Sequence, residues 1–121
     1  MSPKTLFLVD DEPSISVSIA RALRRTLEPL GVRIKTFQNP ADALEEIKSN
    51  GLPDAVMTDD LMPFMSGREF AKELRARGFI GKILMLSGTA HDDVLDCGVD
   101  RLMTKPFSLA DLRETFTRIF T

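Results

Sequence analysis

The sequence predicts an α/β fold: a doubly wound, five-stranded parallel sheet with helices on both faces. Two observations predict it. Five short runs are mostly apolar, as strands covered on both faces should be. Longer segments with helical periodicity separate them, and strand–helix alternation repeated along a chain implies parallel strands joined by helical crossovers.

Thr5–Val9 is the first strand candidate. Pro13 suits a first helical turn, and Ile15, Ile19 and Leu23 then recur at helical spacing. Arg33–Phe37 is the second strand, and Asn39–Pro40 opens a helix carrying Ala43, Leu44 and Ile47. Ala55–Thr58 is the third strand. Ser66, with Glu69 three residues later, forms a capping box ahead of Phe70 and Leu74. Lys82–Leu86 is the fourth strand. The crossover after it, His91–Gly98, is polar and weakly periodic, so a short fourth helix of about two turns or fewer is expected. Arg101–Thr104 is the fifth strand. Ser108 and Asp111 then start a last helix with Leu109, Leu112, Phe116 and Ile119 apolar. No internal repeat, low-complexity segment or linker is visible. Residues 1–121 are expected to form one domain, its last helix leaving no room for an output domain.

Composition excludes several function classes. With 16 basic and 18 acidic residues the net charge is −2, against the basic excess that a general nucleic-acid binder needs. The single cysteine, Cys97, cannot form an internal disulfide, and a reducing compartment fits. No apolar run approaches the roughly 20 residues that span a bilayer. The N-terminus goes straight into a strand-like run, so no signal peptide is expected. No membrane contact, no direct nucleic-acid contact and a cytoplasmic location are expected.

The chemistry gathers where strands end. Leu6–Val9 runs into Asp10 and Asp11, Ala55–Thr58 into Asp59 and Asp60, Ile83–Leu86 into Ser87, and Leu102–Thr104 into Lys105. Open α/β sheets bind ligands outside the carboxyl ends of their strands. Several carboxylates, a hydroxyl and an ammonium therefore share one rim. Two carboxylates about 4 Å apart repel by roughly 4 kcal/mol at an effective dielectric near 20. Lys105 alone cannot neutralise three. Either one carboxylate holds a proton or a divalent cation sits among them. Hard oxygen donors in an incomplete cage suit Mg²⁺. An Asp beside Mg²⁺ and Lys can accept a phosphoryl group, because the cations offset charge on the equatorial oxygens.

Four blocks, Val9-Asp10-Asp11-Glu12, Asp59-Asp60-Leu61-Met62-Pro63-Phe64-Met65-Ser66-Gly67, Ser87-Gly88-Thr89-Ala90 and Lys105-Pro106-Phe107, appear in order over nearly the whole chain. Together they resemble the signature blocks of response-regulator receiver domains, the phosphoacceptor modules of two-component signalling, in the chemotaxis-regulator-like superfamily. The resemblance implies a flavodoxin-like strand order, 2-1-3-4-5. It implies that Asp59 is the phosphoacceptor and that Asp11 is a direct Mg²⁺ ligand, with Asp10 helping mainly through water. The Leu61 carbonyl and Asp59 complete the protein ligands. Ser87 and Lys105 would contact the phosphoryl group, and the Lys105–Pro106 bond would be cis. The implied partners are a sensor histidine kinase or histidine-phosphotransfer protein, docking near Ile15 and Ile19, and an output protein that the sequence does not identify. Such a domain catalyses its own phosphorylation and dephosphorylation as a signalling protein rather than as a metabolic enzyme.

Other polar residues get plainer readings. Asp60 is expected to be an exposed neighbour rather than a ligand, His91 a surface loop residue, Cys97 an inert packed thiol, and Arg21, Arg24 and Arg25 a solvated helix face. Met85 and Met103 are expected to fill core space.

Three departures from the family pattern stand out. Leu102 occupies the position three before Lys105 that usually carries a mobile aromatic. Ser87 and Lys105 lie 18 positions apart, shorter than typical by about one helical turn. Leu61 and Thr89 sit where residues usually tune hydrolysis of the phosphoryl group, and an apolar Leu61 cannot orient water, so slow dephosphorylation is expected. Leu102 and the short crossover support an alternative, a non-phosphorylated pseudo-receiver acting as an interaction module. Intact Asp11, Asp59 and Lys105 oppose it. A phosphatase of the haloacid-dehalogenase type would need an Asp where Leu61 stands.

Overall fold

The computed structural model describes residues 3–89 and 96–121. Five parallel strands, β1 (Lys4–Val9), β2 (Val32–Phe37), β3 (Ala55–Asp59), β4 (Lys82–Ser87) and β5 (Arg101–Thr104), form one sheet in the order β2-β1-β3-β4-β5. The helices are α1 (Pro13–Leu27), α2 (Pro40–Asn50), α3 (Gly67–Ala76) and α4 (Leu109–Phe120), with a 3-10 turn over Glu28–Leu30. The strands match the sequence reading to within one residue at each end. The short helix expected over His91–Gly98 falls largely on residues 91–95, outside the described residues.

The helix starts follow from local chemistry. The Asn39 side chain accepts from the Asp42 N–H at 2.8 Å, and the Ser108 hydroxyl accepts from the Asp111 N–H at 3.3 Å. Ser66 and Glu69 close the capping box, each side chain accepting from the other's backbone N–H. Each cap satisfies a donor that the first helical turn leaves open.

Strand alternation divides the core into two layers. Leu6, Leu8, Met57, Leu84, Leu86 and Met103 pack with α1 and α4, through Leu23, Leu112 and Phe116 among others. Phe7, Val9, Val56, Ile83 and Met85 pack with α2 and α3, through Leu44, Phe70 and Leu74. Both faces being covered explains why the strands read as apolar runs.

Arg75 on α3 ties the far end of the sheet together. Its guanidinium donates to the carbonyls of Phe79, Gly81 and Gly98, at 2.7–3.1 Å, and pairs with Asp100 at 2.9 Å. Asp100 in turn accepts from the Ile83 N–H at 2.8 Å. A Cβ on Gly98 would stand 2.7 Å from the Arg75 Cγ, and its φ of +95° also suits glycine.

Candidate functional site

The site lies at the C-terminal rim of β1, β3, β4 and β5. Strand parity decides which side chains meet there. Asp10 follows Leu6 and Leu8, and Asp59 follows Ala55 and Met57, so both lean to the α1–α4 side. Lys105, two after Met103, joins them.

The Lys105 ammonium donates to Asp59 Oδ1 at 2.8 Å. Asp10, Asp11 and Asp59 each offer a carboxylate oxygen within 4.8 Å of the others. Asp10 is 1% exposed. Its Oδ1 accepts from the Glu12 N–H at 2.8 Å, while its buried Oδ2 has no hydrogen-bond partner. Burial, and then the charges of Asp59 and Asp11, push the Asp10 carboxyl above its ordinary range, against the Glu12 N–H and Lys105. For Lys105, burial alone would lower the ammonium; the hydrogen bond to Asp59 and the charges of Asp59, Asp10 and Asp11 outweigh it and raise the value. An orphaned carboxylate oxygen beside two further carboxylates and one cation is a site that can hold a metal ion.

A second group faces the α3 side. Ser87 is 3% exposed and donates its hydroxyl to Asp60 Oδ2 at 3.1 Å. The Thr89 N–H donates to the Ser87 oxygen at 3.3 Å. Arg68 Nε stands 3.7 Å from Asp60 Oδ1. Asp60 is 5% exposed, which corrects the expectation of an exposed neighbour: its backbone continues the ladder one residue beyond β3, donating to Leu86 O at 3.0 Å and carrying the side chain inward. Gly67 explains its place in the second block, since a Cβ there would stand 2.2 Å from the Asp59 carbonyl oxygen. Its N–H donates to Asp60 O at 2.7 Å.

Residues 6–117 match the family described as response regulator receiver domain. The chain belongs to that family. The receiver domain is 37% identical over 116 residues to response regulator MprA of Mycobacterium sp. (strain KMS), covering 91% of this chain and 47% of that protein. It thus spans about half the length of the curated relatives it matches. Among solved structures it is similar to the Vibrio cholerae chemotaxis protein CheY4 (26% identity, TM-score 0.79, covering 97% of this chain and 98% of that one). A response regulator receiver domain protein from Methanospirillum hungatei shares the fold at TM-score 0.83, with 24% identity and 98% and 94% coverage.

The sequence-predicted residues Asp10, Asp11, Asp59, Ser87 and Lys105 converge on the rim of this receiver domain. Leu61 is 80% exposed beside it. The Lys105–Pro106 bond is cis, as the resemblance implied. Leu102 is half-buried against the α2–α3 layer, and the neighbouring loop carries a fully exposed Phe64 with φ 71°. Cys97 is half-buried, and Arg21, Arg24 and Arg25 are exposed as expected. His91 lies outside the described residues. Sequence reasoning missed the Asp60 and Arg68 contacts. Extending β3 by one residue would have placed Asp60 on the same side as Ser87.

Proposed function

We propose that this receiver domain, residues 1–121, takes a phosphoryl group onto Asp59 from a phosphohistidine on a sensor kinase or histidine-phosphotransfer protein. An Asp59 carboxylate oxygen attacks phosphorus, the P–N bond breaks, and its electron pair stays on the imidazole of the donor. Asp10, Asp11, Asp59 and the Leu61 carbonyl would hold Mg²⁺. Bound there, the ion would offset charge on the phosphoryl oxygens. Lys105 orients Asp59 before transfer and pairs with a phosphoryl oxygen afterwards. Ser87 donates its hydroxyl to another. The output is a changed surface read by a partner protein, and exchange with a kinase that draws on ATP places the domain in the cytoplasm.

The observation that carries this reading is the Lys105–Asp59 contact at 2.8 Å inside a three-carboxylate cluster with an unsatisfied Asp10 oxygen. Incubation with acetyl phosphate and Mg²⁺, followed by intact-mass or Phos-tag analysis, tests it. The wild type should gain one phosphoryl group, and Asp59→Asn should gain none. Equal labelling of both would move the acceptor elsewhere. No labelling of either, together with no beryllofluoride uptake, would favour the non-phosphorylated interaction module, for which the non-aromatic Leu102 is the supporting observation.

A further inference from the structure

Asp60 has a geometry of its own. β3 and β4 pair with Asp59 opposite Leu86, and the Asp60 N–H bond to Leu86 O carries the ladder one step further. Side chains alternate across a sheet. Asp59 therefore points with Met57 toward α1 and α4, while Asp60 points with Val56 toward α3. Ser87 follows Ile83 and Met85 onto that same α3 side. Asp60 and Ser87 are thus cross-strand neighbours, and the hydroxyl rests on Asp60 Oδ2 at 3.1 Å. A serine hydroxyl has one proton to donate. A bond to an ionised, buried acceptor is stronger than one to a neutral acceptor. Arg68 Nε stands 3.7 Å from the other oxygen, Oδ1.

We propose that Asp60 is a positioning residue that competes with the phosphoryl group on Asp59 for the single proton of the Ser87 hydroxyl, making the Asp60–Ser87 bond a brake on the phosphorylated state. This rests on the phosphoacceptor reading of Asp59. Phosphorylation completes its contacts only when Ser87 leaves Asp60 and turns across the strand end. Removing the competing acceptor frees the hydroxyl in advance.

The test is a double-mutant cycle on beryllofluoride affinity at saturating Mg²⁺, read by ¹⁹F NMR, on variants confirmed as folded by circular dichroism. Asp60→Ala should tighten binding about tenfold, the scale of one hydrogen bond to a charged group. Asp60→Asn keeps an acceptor and should gain less. In a Ser87→Ala background, Asp60→Ala should change the affinity by less than about twofold, because no hydroxyl remains to compete for. Equal gains with and without Ser87 would overturn the proposal, since Asp60 would then act only as a repelling charge. No gain from Asp60→Ala would overturn it as well. If the wild type and every Asp60 variant bind no beryllofluoride, the phosphoacceptor reading fails, and the competition falls with it. In the first two failures the wild type still binds, so the outcomes are distinguishable.

Discussion

Leu61 shows how much one side chain can decide. It is 80% exposed and stands two residues after Asp59. An aspartyl phosphate is lost when water attacks phosphorus, and a polar side chain at this rim can hold that water by hydrogen bonding. A leucine cannot. Leu61→Asn should therefore shorten the phosphoryl lifetime by about tenfold, less than the roughly 10²–10⁴ of general acid–base catalysis because an amide only orients the water, as measured by the decay of phosphorylated protein after removal of acetyl phosphate. An unchanged lifetime would show that another group, or exclusion of water, controls hydrolysis. The exposure of Leu61 makes the test clean, because the substitution opens no cavity and buries no polar atom.

At the scale of elements, the joint between α3 and the β4–β5 end depends on Arg75. One guanidinium satisfies three carbonyls and a carboxylate that helix and sheet leave open. Arg75→Ala should cost about 2–4 kcal/mol, from four acceptors at roughly 0.5–1 kcal/mol each, read as a lower urea midpoint at unchanged slope. Arg75→Lys should recover little, because an ammonium cannot reproduce the planar fork. A near-neutral Arg75→Ala would mean that water replaces the guanidinium at little cost. This joint also marks the limit of what sequence reasoning reaches. The strands and helix starts were legible because apolar runs, Asn39, Ser66 and Ser108 act within a few residues of themselves. So was the placing of Asp10, Asp11, Asp59, Ser87 and Lys105 at one rim, since a parallel sheet delivers every strand end there. Arg75 contacts Gly98 and Asp100 more than twenty residues away, and no local pattern distinguishes it from a solvated helix arginine. Asp60 was misread for a related reason. Its burial depends on β3 pairing one residue past its last apolar side chain, and a second Asp after a strand reads equally well as a turn former.

For the molecule as a whole, the carboxylate cluster should make stability a function of pH and, under the proposed metal binding, of divalent cations. The folded Asp10 carboxyl holds its proton more tightly than the unfolded chain does, for burial and then the neighbouring charges raise it above its ordinary value of 3.8. Without metal, folding stability should then fall as pH rises from that value through the raised folded one, because over this window the folded state binds more protons. The cost is complete once pH has passed the folded value. Lys105 works the other way: its raised value adds stability that is complete below 10.5 and lost only as pH climbs through its folded value. Between the folded Asp10 value and 10.5 the Asp10 cost and the Lys105 gain therefore coexist, and a cation that replaces the missing positive charge should stabilise the fold. Saturating Mg²⁺ at about 100 times its dissociation constant would contribute roughly 2.7 kcal/mol. Because the ion competes with protons for the same oxygens, the difference in melting temperature between Mg²⁺ and EDTA should be larger at about pH 8 than at about pH 5. Asp10→Asn should separate the two terms. Its Oδ1 still accepts from the Glu12 N–H, while the amide places N–H donors where Oδ2 had no partner. In EDTA at neutral pH the variant should be more stable than the wild type by about 1–2 kcal/mol, the size of one carboxylate repulsion partly screened. That advantage should shrink on acidification, when the wild-type Asp10 takes up its proton, and the Mg²⁺ response should weaken. A wild type whose melting temperature ignores Mg²⁺ at every pH, or an Asp10→Asn that is less stable than the wild type without metal, would mean that the crowded carboxylates are relieved by some means other than a bound cation.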